Sequence, residues 1–183
     1  NAIYTQSEFY RQIRKMWSKG IISWEDDERI YYSVVFSWHI PKIVKHKSKQ
    51  VIVGGPAIYA NRELVPEWAM IGEPGTVGSL LQKHNPFATR TSVGCVRSCK
   101  FCIVPKTEGK IREIPDFNIA PIIVDNNLLG CEPEHFSKVI DKAKRLEFVD
   151  FNQGLDSRLL TPWHAVKFTE LKHPYLRLAF DDI

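Results

Sequence analysis

The chain has 183 residues, 44% of them hydrophobic, and 25 Lys and Arg against 21 Asp and Glu leave a net charge of +4. That apolar content supports an ordinary buried core, and the mild charge singles out no polyanionic partner. No apolar run approaches the roughly 20 residues that a bilayer-spanning helix needs, and four cysteines are too few for a disulfide-stapled secreted domain.

From the amino terminus, Ser7 is a candidate N-cap for a helix in which Phe9, Ile13, Met16 and Trp17 recur at helical spacing before Gly20. Ile30 to Phe36 is β-branched and aromatic and predicts a buried strand. Trp38-His39-Ile40-Pro41 then turns the chain into a short basic helix. Gln50 to Val53 is a second buried strand, closed by Gly54-Gly55-Pro56. Strand, helix, strand and glycine turn together predict a parallel α/β layer. A Gly-Gly-Pro turn can cradle a phosphate or cofactor, and a tight turn explains the pair equally well. Ala69 to Gly75 and a helix from Thr76 to His84 lead to Pro86, the expected linker. Residues 1–85 and 86–183 are thus the two expected segments.

Thr89 to Val93 predicts a short strand leading into Gly94. Further on, Ala120 to Val124 reads as a strand followed by Asp125-Asn126-Asn127. Glu132 and Pro133 open a helix with Phe136, Val139, Ile140, Ala143 and Leu146 on one face. Phe148 to Phe151 is the next strand, ending in a polar stretch that contains Asp156 and Arg158. Thr161 caps a helix with Pro162 at its first position, running to Lys172. Leu176 to Phe180 is the last strand, followed by Asp181. Four βα-type strands result, each with polar residues at its carboxyl end, where βα barrels place their chemistry.

Between the first two of these strands lies Gly94-Cys95-Val96-Arg97-Ser98-Cys99-Lys100-Phe101-Cys102. Three closely spaced thiolates can bind three irons of a cubane cluster and leave the fourth without a protein ligand. A structural zinc site ordinarily shows two Cys or Cys/His pairs, and neither Cys131 nor the six histidines supply a second one. An electron-transfer cluster calls for a fourth nearby cysteine, whereas Cys131 is remote and reads as a small buried residue. Arg90, Arg97, Lys100, Lys106, Lys110 and Arg112 surround the motif. They read first as a solvated loop, and otherwise as attraction for an anionic substrate or nucleic acid. Free thiols in such a motif point to a reducing cytoplasm.

Cys-x3-Cys-x2-Cys with an aromatic before the last cysteine resembles the signature of the radical S-adenosylmethionine (SAM) superfamily. The resemblance implies a [4Fe-4S] cluster on Cys95, Cys99 and Cys102, whose open iron chelates SAM. It also implies a reductant such as flavodoxin or ferredoxin, and cleavage of SAM to a 5′-deoxyadenosyl radical that attacks an unidentified substrate. Phe101 stands where family members pack an aromatic near the cluster. Asp125 and Asn126 occupy the place of a motif that contacts the SAM amino group, though both residues also favour turns. Asp156 and Arg158 can bind ribose, the SAM carboxylate or substrate, or pair with each other at the rim; Asp181 is a similar case.

The fold implied is α/β, a partial (βα) barrel of the radical SAM type preceded by a truncated Rossmann-like segment. The order of Val51-Ile-Val-Gly-Gly-Pro56, Ile71-Gly-Glu-Pro-Gly75 and the cysteine loop is similar to that of cobalamin-associated members. Asp-x-His-x-x-Gly, the segment whose histidine ligates cobalt in many of them, is missing, so cobalamin is not expected. The loop Phe101 to Glu113 also resembles that of methylthiotransferase-like members, but no cysteine precedes Cys95 to act as an auxiliary ligand. A chain starting at Asn1 and stopping at Ile183, after the fourth of commonly six strands, is expected to be a piece of a longer protein. The alternatives left open are a non-enzymatic iron–sulfur protein and a zinc-stabilised nucleic-acid-binding module.

Overall fold

In the computed structural model residues 2–72 and 77–179 are described, with side chains from Glu8 to Gly72 and from Leu80 to Ala179. Contacts divide the chain into two units, Asn1–Pro86 and Phe87–Ile183.

In the first unit, α1 (Ala2–Lys15) starts before Ser7, which therefore lies inside the helix and is not its N-cap. Ile13 anchors it at 1% exposure, while Phe9 and Met16 stay about half exposed. The sequence reading missed β1 (Ile21–Glu25), a short run ended by a turn in which the Asp26 carboxylate accepts from the Glu28 and Arg29 N–H groups. It pairs antiparallel with β2 (Arg29–Val34), which runs parallel to β3 (Gln50–Gly54), and β3 is parallel to β4 (Met70–Ile71). The expected basic helix between β2 and β3 is instead a 3-10 turn, Ser37–Lys42, followed by irregular chain to Lys49. Pro41 removes a backbone donor there, and only Ile43 among residues 43–49 is buried, so no apolar stripe exists to seat a helix.

After β3 come α2 (Pro56–Ala60), a 3-10 turn at Arg62–Leu64 and α3 (Val77–His84). Gly55 has φ +103, and a Cβ there would meet the Val34 carbonyl oxygen at 2.5 Å. The glycine pair therefore serves close packing of the turn on β2. Glu73, Pro74, Gly75 and Thr76 lie outside the described residues.

His84 ties this unit together. Its Nδ1 lies 2.5 Å from the Ser18 hydroxyl and its Nε2 2.9 Å from that of Ser33, joining α3 to β2 and to the chain after α1. Asn85, fully buried, donates to the Ile13 carbonyl at 2.9 Å.

In the second unit the predicted strand at Thr89–Val93 is two strands with different partners: β5 (Ala88–Thr89) and β6 (Ser92–Val93). The cysteine loop and α4 (Val104–Thr107) follow, and β7 (Arg112–Glu113) returns antiparallel to β6. Then come β8 (Ile122–Ile123), a 3-10 turn at Leu128–Gly130, α5 (Pro133–Ala143), β9 (Val149–Phe151) and β10 (Leu155–Asp156). A second 3-10 turn, Ser157–Leu159, leads to α6 (Pro162–Thr169). The predicted last strand is also divided, into β11 (Pro174–Tyr175) and β12 (Leu178–Ala179); Phe180 and Asp181 lie outside the described residues.

The strands β5, β8, β9 and β11 are neighbours in that order, every pair parallel, and β10 runs parallel to β12. The chain is thus mixed α/β with parallel sheets, and among the described residues these sheets are open, with no closed barrel.

The α5 stripe reads as expected, with Phe136, Val139, Ile140 and Ala143 all at 0% exposure. Phe136 meets Phe168 edge-on at 5.5 Å, and Phe168 meets Phe151 at 5.1 Å, joining both helices to β9. Thr161 caps α6 through a reciprocal box with His164, and the helix stops at Thr169, short of Lys172. No helix among the described residues is long and apolar enough to cross a membrane.

Burial lowers the His84 pKa below its ordinary 6.5. The unfolded chain binds that proton more readily, so stability is complete above pH 6.5 and falls as pH drops towards the folded value. Urea unfolding of the first unit should show this loss between pH 7.5 and 5, and His84→Gln should flatten the dependence. An equal pH slope in the two proteins would exclude the role given to His84.

Candidate functional site

The cysteine loop leaves β6 at Gly94, whose φ is +83 and where a Cβ would meet the Lys110 carbonyl oxygen at 2.3 Å. Only glycine permits so close an approach. Its N–H donates to Glu108 Oε2 at 2.9 Å, the Cys95 N–H donates to the Gly109 carbonyl at 3.2 Å, and the Cys102 N–H closes a turn on the Cys99 carbonyl at 3.0 Å. Cys95, Cys99 and Cys102 are half-buried free thiols on this one loop. Phe101 is 64% exposed, and Val96 and Ile103 beside it are about half exposed.

Two parallel-strand ends reach the sulfurs. The Cys95 sulfur accepts from the Arg97 N–H at 3.3 Å and from the side-chain amide of Asn127, just after β8, at 3.7 Å. Asn127 is buried, and its carbonyl oxygen accepts from the Asp156 N–H at 3.4 Å, which links it to the end of β10. Asp156 in turn grips Arg158 in a two-pronged pair at 2.7 and 3.0 Å, with Arg97 Nε at 3.8 Å. The Arg158 guanidinium beside it holds the Asp156 carboxyl below its ordinary range. Asp156 first, and Cys99 to a lesser degree, hold the Arg158 guanidinium in its charged form, which places Cys99 near it. Asp156 and Arg158, singled out in the sequence, thus stand with the thiols.

Asp125 and Asn126 have other partners. Asp125 is 4% exposed and accepts from the Thr91 N–H at 2.6 Å, the Thr91 hydroxyl at 2.5 Å and the Ser92 hydroxyl at 3.1 Å. Burial pushes its pKa up against the pull of those bonds. Asn126 donates to Glu108 Oε2 at 2.6 Å and to the Gly94 carbonyl at 3.4 Å. Both residues brace the loop from behind.

Glu108 was not singled out by sequence, since a lone glutamate in Thr107-Glu108-Gly109 carries no motif. One of its oxygens accepts from Arg90 at 2.6 Å, from the Gly94 N–H and from Asn126. Several of the surrounding basic side chains are likewise engaged: Arg90 with Glu108, Arg97 with Asp156, and Arg112 with the Glu108 carbonyl at 3.3 Å. Cys131 is buried, and burial pushes its thiol up to about 12, so the free thiol stays protonated.

Compared with known proteins, the chain matches no protein-family model, no curated protein and no solved structure.

Three thiols outside any disulfide are donors of the soft type that iron–sulfur clusters take, and two N–H groups donate to the Cys95 sulfur. Among the described residues no three His, Cys, Asp or Glu side chains are grouped to hold a single metal ion. A cubane takes one thiolate on each of three irons, a wider arrangement than ligands around one ion.

Glu108→Ala would leave Arg90, the Gly94 N–H and Asn126 without their shared acceptor. The expected cost is about 2–3 kcal/mol, read as a lowered urea midpoint. Cys131 should remain protected from iodoacetamide in the folded variant. An unchanged midpoint would mean that the loop is not held through this carboxylate.

Proposed function

We propose that the second unit is the opening part of a radical SAM-type (βα) barrel, in which Cys95, Cys99 and Cys102 hold a [4Fe-4S] cluster that binds SAM at its open iron. The observation that carries this reading is the meeting of the cysteine motif with the chain just beyond two parallel strands, β8 of the four-stranded sheet and β10 of the β10–β12 pair. Asn127 after β8 reaches the Cys95 sulfur, and Arg158 after β10 stands near Cys99. Chemistry in βα folds gathers at the carboxyl ends of strands. Zinc or an electron-transfer centre would not call for it.

When bound, the cluster supplies the electron that cleaves the sulfonium; the protein's part is binding, orientation and exclusion of water. Asn127 and the Arg97 N–H donate to the Cys95 sulfur and so orient it. The Asp156–Arg158 pair keeps a cation at Cys99 and offers polar groups to a SAM carboxylate or ribose. Phe101 is exposed on the same loop, where its side chain would pack near the cluster and its backbone would contact adenine. Asp125 and Asn126 act here by bracing the loop. The first unit is read as a truncated Rossmann-like segment without cobalamin. A reducing cytoplasm and a flavodoxin- or ferredoxin-type donor suit the free thiols, and the substrate is a molecule still to be identified.

Anaerobic reconstitution of the chain should give about four irons and four sulfides, and Cys95→Ala, Cys99→Ala or Cys102→Ala should each abolish this. Reduction with SAM should release 5′-deoxyadenosine. A full cluster with no SAM cleavage would favour the electron-transfer reading, and zinc without sulfide would favour a structural metal module.

A further inference from the structure

The first unit carries a surface that the cluster chemistry does not use. Residues 36–50, Phe-Ser-Trp-His-Ile-Pro-Lys-Ile-Val-Lys-His-Lys-Ser-Lys-Gln, contain Lys42, Lys45, Lys47 and Lys49, with no Asp or Glu among them. Phe36 and Trp38 are stacked, ring centroids 4.6 Å apart and planes 4° from parallel. Beneath Phe36 lies Gly20, where a Cβ would come within 2.3 Å of the ring, so the missing side chain makes the seat for the stack. His39 braces both rings edge-on at 6.1 and 5.9 Å. Trp38 nevertheless remains 66% exposed, and Val44 65%.

A flat tryptophan held firmly from below but open above is costly to leave in water. Beside it, Lys42, Lys45 and Lys47 are exposed and make no ion pair among the described residues, whereas Lys49 is taken up by Glu25 at 3.1 Å.

We propose that this segment binds single-stranded nucleic acid, with one base stacked on Trp38 and the backbone phosphates running along Lys42, Lys45 and Lys47. A parallel aromatic stack accepts a further planar ring, and exposed lysines at 42, 45 and 47 without ion-pair partners among the described residues can neutralise backbone phosphates. Membrane docking is less well served: an interfacial anchor presents the broad apolar face of a helix, and this stretch has only a 3-10 turn with two neighbouring lysines exposed beyond it. Because the site lies wholly in the first unit, it stands or falls independently of the cluster.

The test is fluorescence anisotropy of a labelled oligo-uridine twelve-mer, about twelve nucleotides being within the span of such sites, titrated with the full chain and its variants at several salt concentrations. Trp38→Ala should weaken binding at least about tenfold, and Trp38→Phe should recover most of it. Changing Lys42, Lys45 and Lys47 together to Gln should lower the slope of log affinity against log salt by about 2. All these side chains are exposed, so thermal melts should match the parent protein. No binding, affinity unchanged in Trp38→Ala, or capture by phosphatidylserine vesicles but not by the oligonucleotide would each overturn the proposal.

Discussion

A carboxylate holds the cysteine loop in place, and little apolar packing helps it. Val96, Phe101 and Ile103 on that loop are largely exposed, so hydrophobic burial does little to fix its course. Instead one oxygen of Glu108 gathers Arg90 from the chain between β5 and β6, the backbone of Gly94 and the side chain of Asn126 after β8. Remove that acceptor and a half-buried guanidinium, a backbone donor and an amide all lose a shared partner, although Arg90 keeps the Ser92 carbonyl and Asn126 that of Gly94. A polar clasp of this kind sets position while leaving the outer face of the loop open.

Behind the clasp lies a second polar layer. The Asp125 carboxylate ties β6 to the end of β8 through Thr91 and Ser92, with His135 3.3 Å from the Thr91 hydroxyl. In front of it, Asn127, Asp156, Arg97 and Arg158 form a chain of hydrogen bonds and ion pairs that reaches the Cys95 sulfur. Below both, the aromatic set of Phe136, Phe151 and Phe168 gives the rigid base from which these strand ends project.

Much of this was legible beforehand. The stripe on α5 and the Thr161-Pro162 start of α6 were written in apolar spacing and cap chemistry; both helices start where expected, but α5 ends at Ala143, before Leu146, and α6 at Thr169, before Lys172. The strand runs were recognisable from β-branched residues, but their breaks were not. Arg90 and Thr91 look like strand formers, yet the chain bends there because Thr91 is drawn to Asp125, thirty-four positions away. The same holds for Glu108, whose role depends on partners brought together only by folding. At the candidate site, the thiols and the pair Asp156–Arg158 were singled out from sequence, and folding brings Asp156 into the hydrogen-bonded chain that leads to Cys95. Asp125 and Asn126 were noticed for the right position but have structural partners, and Asn127, next to them, is the residue that reaches sulfur. In the first unit, lysines between β2 and β3 suggested a helix by composition, while Pro41 and the lack of a buried stripe prevented one.

The central claim is that the trio of cysteines leaves one iron open to SAM. Electron paramagnetic resonance of the reduced, reconstituted chain, recorded with and without SAM, addresses it most directly. The account predicts a [4Fe-4S]⁺ signal whose shape changes when SAM is added, because the sulfonium ligand's amino and carboxylate groups join the open iron. An iron–sulfur signal identical in both samples would contradict it.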